Sequence, residues 1–258
     1  MALKAAAFAC LVTLALPLAG CTDQSLHFGD DPRLLWWTDH ETGDLSDWLG
    51  KSQQGGFVLT AGSRVEVVAG IARSGTHALR ITDDSPTQRD YPLVARNGPL
   101  PIGVYASAWY YVPQALHPLS YWWFVLYRSR HPPYDSQAFR DEIRLSFTNR
   151  ADGSMGSVLL TEELGTIEPL VDREIPVARW FHIETYLRVT DGSDGEFKAW
   201  QDGELTFQAT GKMMETTWAE WMTGGVVDGL TTDAAELYID DAAISEQRLG
   251  PLPPFERR

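Results

Sequence analysis

Residues Arg179 to Gly211 read R-W-F-H-I-E-T-Y-L-R-V, then T-D-G-S-D-G, then E-F-K-A-W-Q, then D-G, then E-L-T-F-Q-A-T-G. The first segment alternates strictly. Phe181, Ile183, Thr185, Leu187 and Val189 take one parity, and Trp180, His182, Glu184, Tyr186 and Arg188 take the other. A period of two marks a half-buried strand, so the apolar set is expected to face a core and the mixed set to face outward. Asp191 to Gly195 supplies a loop. Asp202-Gly203 is a two-residue hairpin signal, because both central positions of such a turn need positive φ. Counting back from that turn puts Trp200 opposite Leu205 and Lys198 opposite Phe207 on one face, where Trp200 is expected to pack in the core. Phe197, Ala199, Thr206 and Gln208 share the other. Three antiparallel strands in succession follow.

The rest of the chain carries the same phrasing. Leu34 to His40, Phe57 to Thr60, Arg64 to Val68, His77 to Ile81, Tyr105 to Val112, Tyr121 to Arg128, Glu142 to Thr148, Ser157 to Thr161 and Glu236 to Ser245 read as further strands. Tyr121 to Arg128 is apolar on both parities, as expected of a strand covered on both faces or forming a cleft floor. Asp83 to Pro101, with Pro86, Pro92 and Pro99, reads as a long connection. Thr216 to Asp228 has no clear period and reads as a covering segment with a helical turn. No helical periodicity is sustained and no repeat of fixed period occurs. Short strands with turn signals between them imply an all-β sandwich or barrel.

At the N-terminus, Lys4 precedes an apolar run from Ala5 to Leu16 that is too short to span a bilayer. It ends at Leu18-Ala19-Gly20-Cys21, which resembles the bacterial lipoprotein cleavage box. The resemblance implies a signal peptide over 1–20, a lipid on Cys21, a tether over 21–33, the folded domain over 34–247 and a tail over 248–258. It also implies a lipid-anchored place in the bacterial cell envelope, at the outer membrane or cell surface. The chain has two cysteines, Cys10 and Cys21. The first leaves with the signal and the second is acylated, so no disulfide is expected in the mature domain. A formal charge of −14 excludes a generic nucleic-acid binder, and a strongly anionic polymer would need a local basic patch. Ten Trp, nine Tyr and ten Phe supply flat rings, which fill cores and also stack on sugars. A monomer is expected.

W-F-H-I-E-x-Y-L-R-V followed by D-G-x-F-K-A-W-x-D-G resembles the paired strands of concanavalin A-like jelly rolls. It is most similar to polysaccharide lyases related to heparin lyase I and alginate lyase, and to jelly-roll carbohydrate-binding modules. Glu41-Thr-Gly-Asp-Leu-Ser-Asp-Trp48 resembles the entry to such domains, and Leu237-Tyr-Ile-Asp-Asp-Ala-Ala-Ile-Ser245 the exit. The resemblance implies an antiparallel two-sheet jelly-roll sandwich of the concanavalin A-like lectin/glucanase type, with a glycan held on a groove face.

Three constellations are candidates for chemistry. Glu142, Arg144 and Ser146 share the outward parity of one strand, as Trp180, His182, Glu184, Tyr186 and Arg188 do of another. On one sheet they would form a polar surface with embedded aromatics. A lyase acting on a uronic acid needs a cation to neutralise the carboxylate and a base to remove the neighbouring proton. Arg144 or Arg188 could do the first, and His182 or Tyr186 the second, with Glu142 beside them. Arg140-Asp-Glu-Ile-Arg144 resembles the arginine-and-glutamate strand of alginate-lyase-like enzymes, but the Gln-x-His strand of that family has no counterpart. The plainer alternative is a solvated face with cross-strand charge pairs such as Glu184 with Arg144. Neither strand supplies the two carboxylates of a retaining glycosidase. Trp180, Glu184, Arg188, Trp218 and Trp221 are candidate glycan contacts. Glu41, Asp240 and Asp241, with Asp39 and Asp44 nearby, could hold a structural calcium through oxygens alone. The reading these features support first is a lipid-anchored polysaccharide- or oligosaccharide-binding protein. A lyase making a β-elimination in a uronic-acid polymer and a non-catalytic protein-interaction module are its alternatives.

Overall fold

The computed structural model describes residues 31–49, 56–59, 63–83, 89–90, 92–99, 101–116, 123–129, 142–190, 192–213, 218–225, 227–228 and 235–251. The signal and lipidation calls, Cys21 included, lie outside the described residues. The elements in chain order are β1 (Leu34–Thr38), the single helical turn α1 (Ser46–Leu49), β2 (Gly56–Leu59), β3 (Arg64–Ala69), β4 (His77–Asp83), β5 (Arg89–Asp90), β6 (Leu93–Pro99), β7 (Gly103–Tyr111) and β8 (Trp123–Ser129). They continue with β9 (Ile143–Asn149), β10 (Met155–Thr161), β11 (Gly165–Ile167), β12 (Trp180–Arg188), β13 (Gly195–Gln201), β14 (Glu204–Gly211), β15 (Trp218–Gly224), β16 (Val227–Asp228) and β17 (Ala235–Ser245).

The strands form two antiparallel sheets and a small ribbon. The first sheet runs β14-β13-β12-β7-β17-β4-β3, with β1 also on β17, and the second runs β11-β10-β9-β8-β15-β6-β2. The ribbon is β5 with β16. The fold is an all-β jelly-roll sandwich. One core lies between the sheets: Phe181, Ile183 and Leu187 of β12 meet Ile143, Leu145 and Phe147 of β9 there. Alternation dictates this packing, since each strand turns its apolar parity inward.

The hairpin turn forms as its sequence dictates. Asp202 has φ 51° and Gly203 φ 85°, and Trp200 pairs with Leu205. A bulge between Ala199 and Trp200 then shifts the register, so Phe207 opposes Ala199, and Lys198 opposes Gln208 instead of Phe207. An extra residue in one strand inverts the parity beyond it. Phe197, Ala199 and Phe207 are therefore in the core. Trp200, 8% exposed, lies on the outer side beneath the Arg248 guanidinium, 4.5 Å from its ring centre.

Two segments read as irregular are central strands. The expected connection over 83–101 contains β6, which pairs with β15 and β2. Its prolines bracket the strand: Pro92 precedes it and Pro99 closes it, positions where a missing N–H costs no ladder bond. The expected covering segment over 216–228 contains β15, which lies between β6 and β8.

The ends are also more involved than a tether and a tail. Arg33 bonds Asp31 and the Arg248 carbonyl, and its own carbonyl accepts from the Glu246 amide. Leu249 packs with Ala243 and Leu34 in a small apolar cluster on the outer side of the first sheet.

Candidate functional site

The expected single polar surface is divided between the two sheets. Glu142 and Arg144 belong to the second sheet, through β9. Trp180, His182, Glu184, Tyr186 and Arg188 belong to the first, through β12. Both strands turn these residues outward, so the two sets lie on opposite outer faces with the core between them. The sequence reading needed β9 and β12 in one sheet, whereas β9 lies between β8 and β10 in the second, and β12 between β7 and β13 in the first.

On the second sheet, Glu142, Arg144, Leu160, Thr161 and Glu162 line an open cleft of about 270 Å³. The register explains the grouping: Arg144 pairs with Leu160 on β10, and the Glu162 amide donates to the Glu142 carbonyl. Arg144 Nη1 lies 3.4 Å from Glu142 Oε1. The arginine side chain is 19% exposed and the glutamate 9%, so the pair is largely withdrawn from water. Two residues further along the strand, Ser146 is fully buried, and its hydroxyl has no hydrogen-bond partner among the described residues. Arg128 of β8 is the register partner of Arg144 on its other side. Two arginines thus hold adjacent positions on one sheet. The sequence reading missed Arg128 because aromatic character dominated its strand. The signal available was its place at the far end of an otherwise apolar run.

On the first sheet, each of the five outward residues of β12 has company. His182 is 3% exposed, and its ring centre lies 5.2 Å from that of Trp109, its register partner. Burial first, then the charges of Arg73 and Arg248, push its pKa down to about 3. It is a neutral imidazole at physiological pH, and its Nδ1 has no hydrogen-bond partner among the described residues. Glu184 is fully buried beneath the C-terminal segment, where it accepts from the Leu249 and Gly250 amides at 2.7 and 3.1 Å and from Arg248 Nε at 3.0 Å. Its partner is Arg248, not the Arg144 of the anticipated cross-strand pair, which lies on the other sheet. Tyr186 stacks obliquely on Tyr105 at 4.8 Å. Arg188 bonds Asp194 through the loop carbonyl and lies 3.7 Å from its carboxylate. Trp180 is half-buried against Tyr111.

Of the two remaining tryptophans, Trp221 is corrected. It is 2% exposed and packs edge-on to Trp36 and against Trp48 in the core, so it is no glycan contact. Trp218 occupies the first position of β15, opposite Pro99, and its side chain lies outside the described residues.

The carboxylates expected around a calcium face hydrogen-bond donors. A bulge in β17 between Asp240 and Ala243 lets the strand leave β4 and take up β1. Asp240 and Asp241 sit at that switch, with Asp241 at φ 46°. Asp240 accepts from the Arg73 and Ser74 amides at 2.8 and 3.1 Å. Asp241 accepts from Arg73 Nη1 at 2.6 Å and the Ser74 hydroxyl at 2.7 Å. Burial and the neighbouring Asp240 charge nevertheless push the Asp241 carboxyl upward. Glu41 accepts from the Thr76 amide and hydroxyl and from the His77 amide. Gly75, at φ 62°, makes room for it, since a Cβ there would come within 2.4 Å of the Glu41 carboxylate. These oxygens therefore fit a cation poorly: the guanidinium of Arg73 already occupies the charged position. No cluster of three or more metal-ligating side chains occurs among the described residues. His40 completes the corner. The Trp48 indole can only donate, so His40 Nε2 accepts at 3.0 Å and Nδ1 carries the proton toward Asp240, 3.5 Å away.

No family model matches the chain. No curated protein matches it. Solved structures do resemble it. An endo-β-1,4-glucuronan lyase from the fungus Trichoderma reesei superposes with a TM-score of 0.57 at 12% identity, covering 83% of this chain and 96% of its own. The cellulose-induced protein Cip1 gives 0.55 at 15% identity, covering 83% and 98%. An alginate lyase from a Chlorella virus gives 0.54 at 8% identity, covering 83% and 100%. At such identities the likeness is one of fold.

Proposed function

We propose that the chain binds a polysaccharide or oligosaccharide in the cleft on the outer face of the second sheet. The observation that carries this reading is Arg144, steadied by Glu142 beside the apolar surface of Leu160, in an open cleft. A guanidinium fixed in this way holds a uronic carboxylate or a pair of sugar hydroxyls in a defined orientation. The fold it shares with lyases of glucuronan and alginate supports a glycan as the ligand. Glu142 and Glu162 hold down the local positive charge, which favours selective contact over general attraction to anionic polymers.

The second reading is β-elimination at this same cleft, favoured by the likeness to those two lyases. It would need a base other than His182 or Tyr186, which face away from Arg144. The test is a panel of alginate, glucuronan, heparin-like and neutral glucan oligosaccharides, followed for binding and for the ultraviolet absorbance of a new carbon–carbon double bond. Binding without absorbance is expected, with Arg144→Ala weakening the acidic ligands at least tenfold. An absorbance rise abolished by Arg144→Ala would replace the binder with the lyase. Binding of no glycan would remove both.

Lipidation at Cys21 is part of the same proposal, on the strength of Leu18-Ala19-Gly20-Cys21. Cys21→Ser should move the protein from the membrane to the soluble fraction, and retention of the variant on membranes would contradict it.

A further inference from the structure

The outer face of the first sheet carries a row of residues in register across five strands. Trp180 of β12 pairs with Tyr111 of β7, and Tyr111 pairs on its other side with Tyr238 of β17. Tyr238 then pairs with Arg80 of β4, and Arg80 with Glu66 of β3. Strands lie about 4.8 Å apart, so the row crosses the sheet for roughly 20 Å, at right angles to the strands. Trp180 and Tyr111 are half-buried with rings 5.5 Å apart, and the buried Tyr238 meets Tyr111 edge-on at 6.0 Å and props it. Each ring is held by a neighbour in the row, which lowers the entropic cost of presenting it.

Charge narrows the ligand. Two cations beside the row are matched: Arg80 bonds Glu66 at 2.6 Å and lies 3.9 Å from Glu236, and Arg73 bonds Asp241. A face of flat rings bordered by balanced ion pairs offers stacking and hydroxyl-sized hydrogen bonds but no net attraction for an anion. A net charge of −14 also opposes a second copy of the chain and an anionic membrane. From this we infer that the Trp180–Tyr111–Tyr238 row is a second glycan-binding surface, on the opposite side of the sandwich from the Arg144 cleft, and that it takes a neutral, linear polysaccharide laid across the strands. The inference goes beyond the cleft proposal and does not depend on it.

Titration calorimetry of the full chain with cellohexaose and laminarihexaose tests it. Wild type should bind at least one of these neutral probes. Trp180→Ala and Tyr111→Ala should each weaken it roughly tenfold or more, the scale of a lost flat-ring contact. Trp180→Phe, which keeps a ring, should retain most of the affinity and guards against misfolding in the alanine variants. The inference is overturned if wild type binds neither probe or if Trp180→Ala binds as wild type does. It is also overturned if wild type is a concentration-dependent dimer that Trp180→Ala dissociates, because the row is then a subunit contact. Failure of the cleft proposal leaves a different trace: loss of the Arg144 effect on acidic ligands with the Trp180 effect on neutral ones intact.

Discussion

His182 shows how parity and burial come apart. Its position on the outward parity of β12 was legible from alternation alone. Its enclosure was not, because that depends on Trp109 from β7 and on the charges of Arg73 and Arg248 from distant parts of the chain. Its depressed pKa, about 3, has a thermodynamic consequence. An unfolded-chain histidine titrates near 6.5, so below that pH the unfolded state takes up a proton that the folded state refuses. Folding stability from this group is complete above pH 6.5 and is lost as pH falls toward 3. Between pH 7 and pH 5 the loss is about 2 kcal/mol. Urea unfolding of wild type and His182→Gln at those two pH values checks it: wild type should lose that much more than the variant, and equal losses would contradict the burial described. The same contrast explains Trp221. A tryptophan in an aperiodic stretch looks like a surface ring until β15 places it against Trp36 and Trp48.

Among the elements, strands with clean alternation were legible and those without were not. β12, β13 and the Asp202-Gly203 turn follow from the sequence. The bulge after Ala199 does not, because no residue type marks it, and it sets Phe207 opposite Ala199 in the core while Trp200 stays on the outer face. β6 was hidden by prolines at its borders, and β15 because Trp218 to Gly224 shows no strict alternation of polar and apolar residues. The loop between β3 and β4 gives the sharpest prediction at this scale. Arg73 supplies the positive charge that the Asp240–Asp241 pair needs, with side chains at 5% and 3% exposure for Arg73 and Asp241. Removing one partner of such a pair strands the other, at a cost of about 3–5 kcal/mol. Arg73→Ala should therefore lower the melting temperature steeply, whereas a chelator should leave that of wild type unchanged. A wild-type melting temperature that falls in chelator and returns with calcium would mean that a cation, and not Arg73, closes this corner.

At the scale of the molecule, the sequence carries the sandwich but not the assignment of strands to sheets. Both Glu142–Arg144 and Trp180–Arg188 announce outward faces. Only the strand order reveals that those faces look in opposite directions, because jelly-roll connections send consecutive strands to either sheet. The lyase constellation assembled from both was therefore never one site. What remains is a cleft at Arg144 on one side and an aromatic row at Trp180 on the other. The account rests most heavily on the first, and hydrogen exchange tests it directly. With a saturating acidic oligosaccharide, amides from Glu142 to Glu162 should exchange more slowly, while those from Trp180 to Arg188 should be unchanged. Protection over Trp180 to Arg188 with none over Glu142 to Glu162 would contradict it.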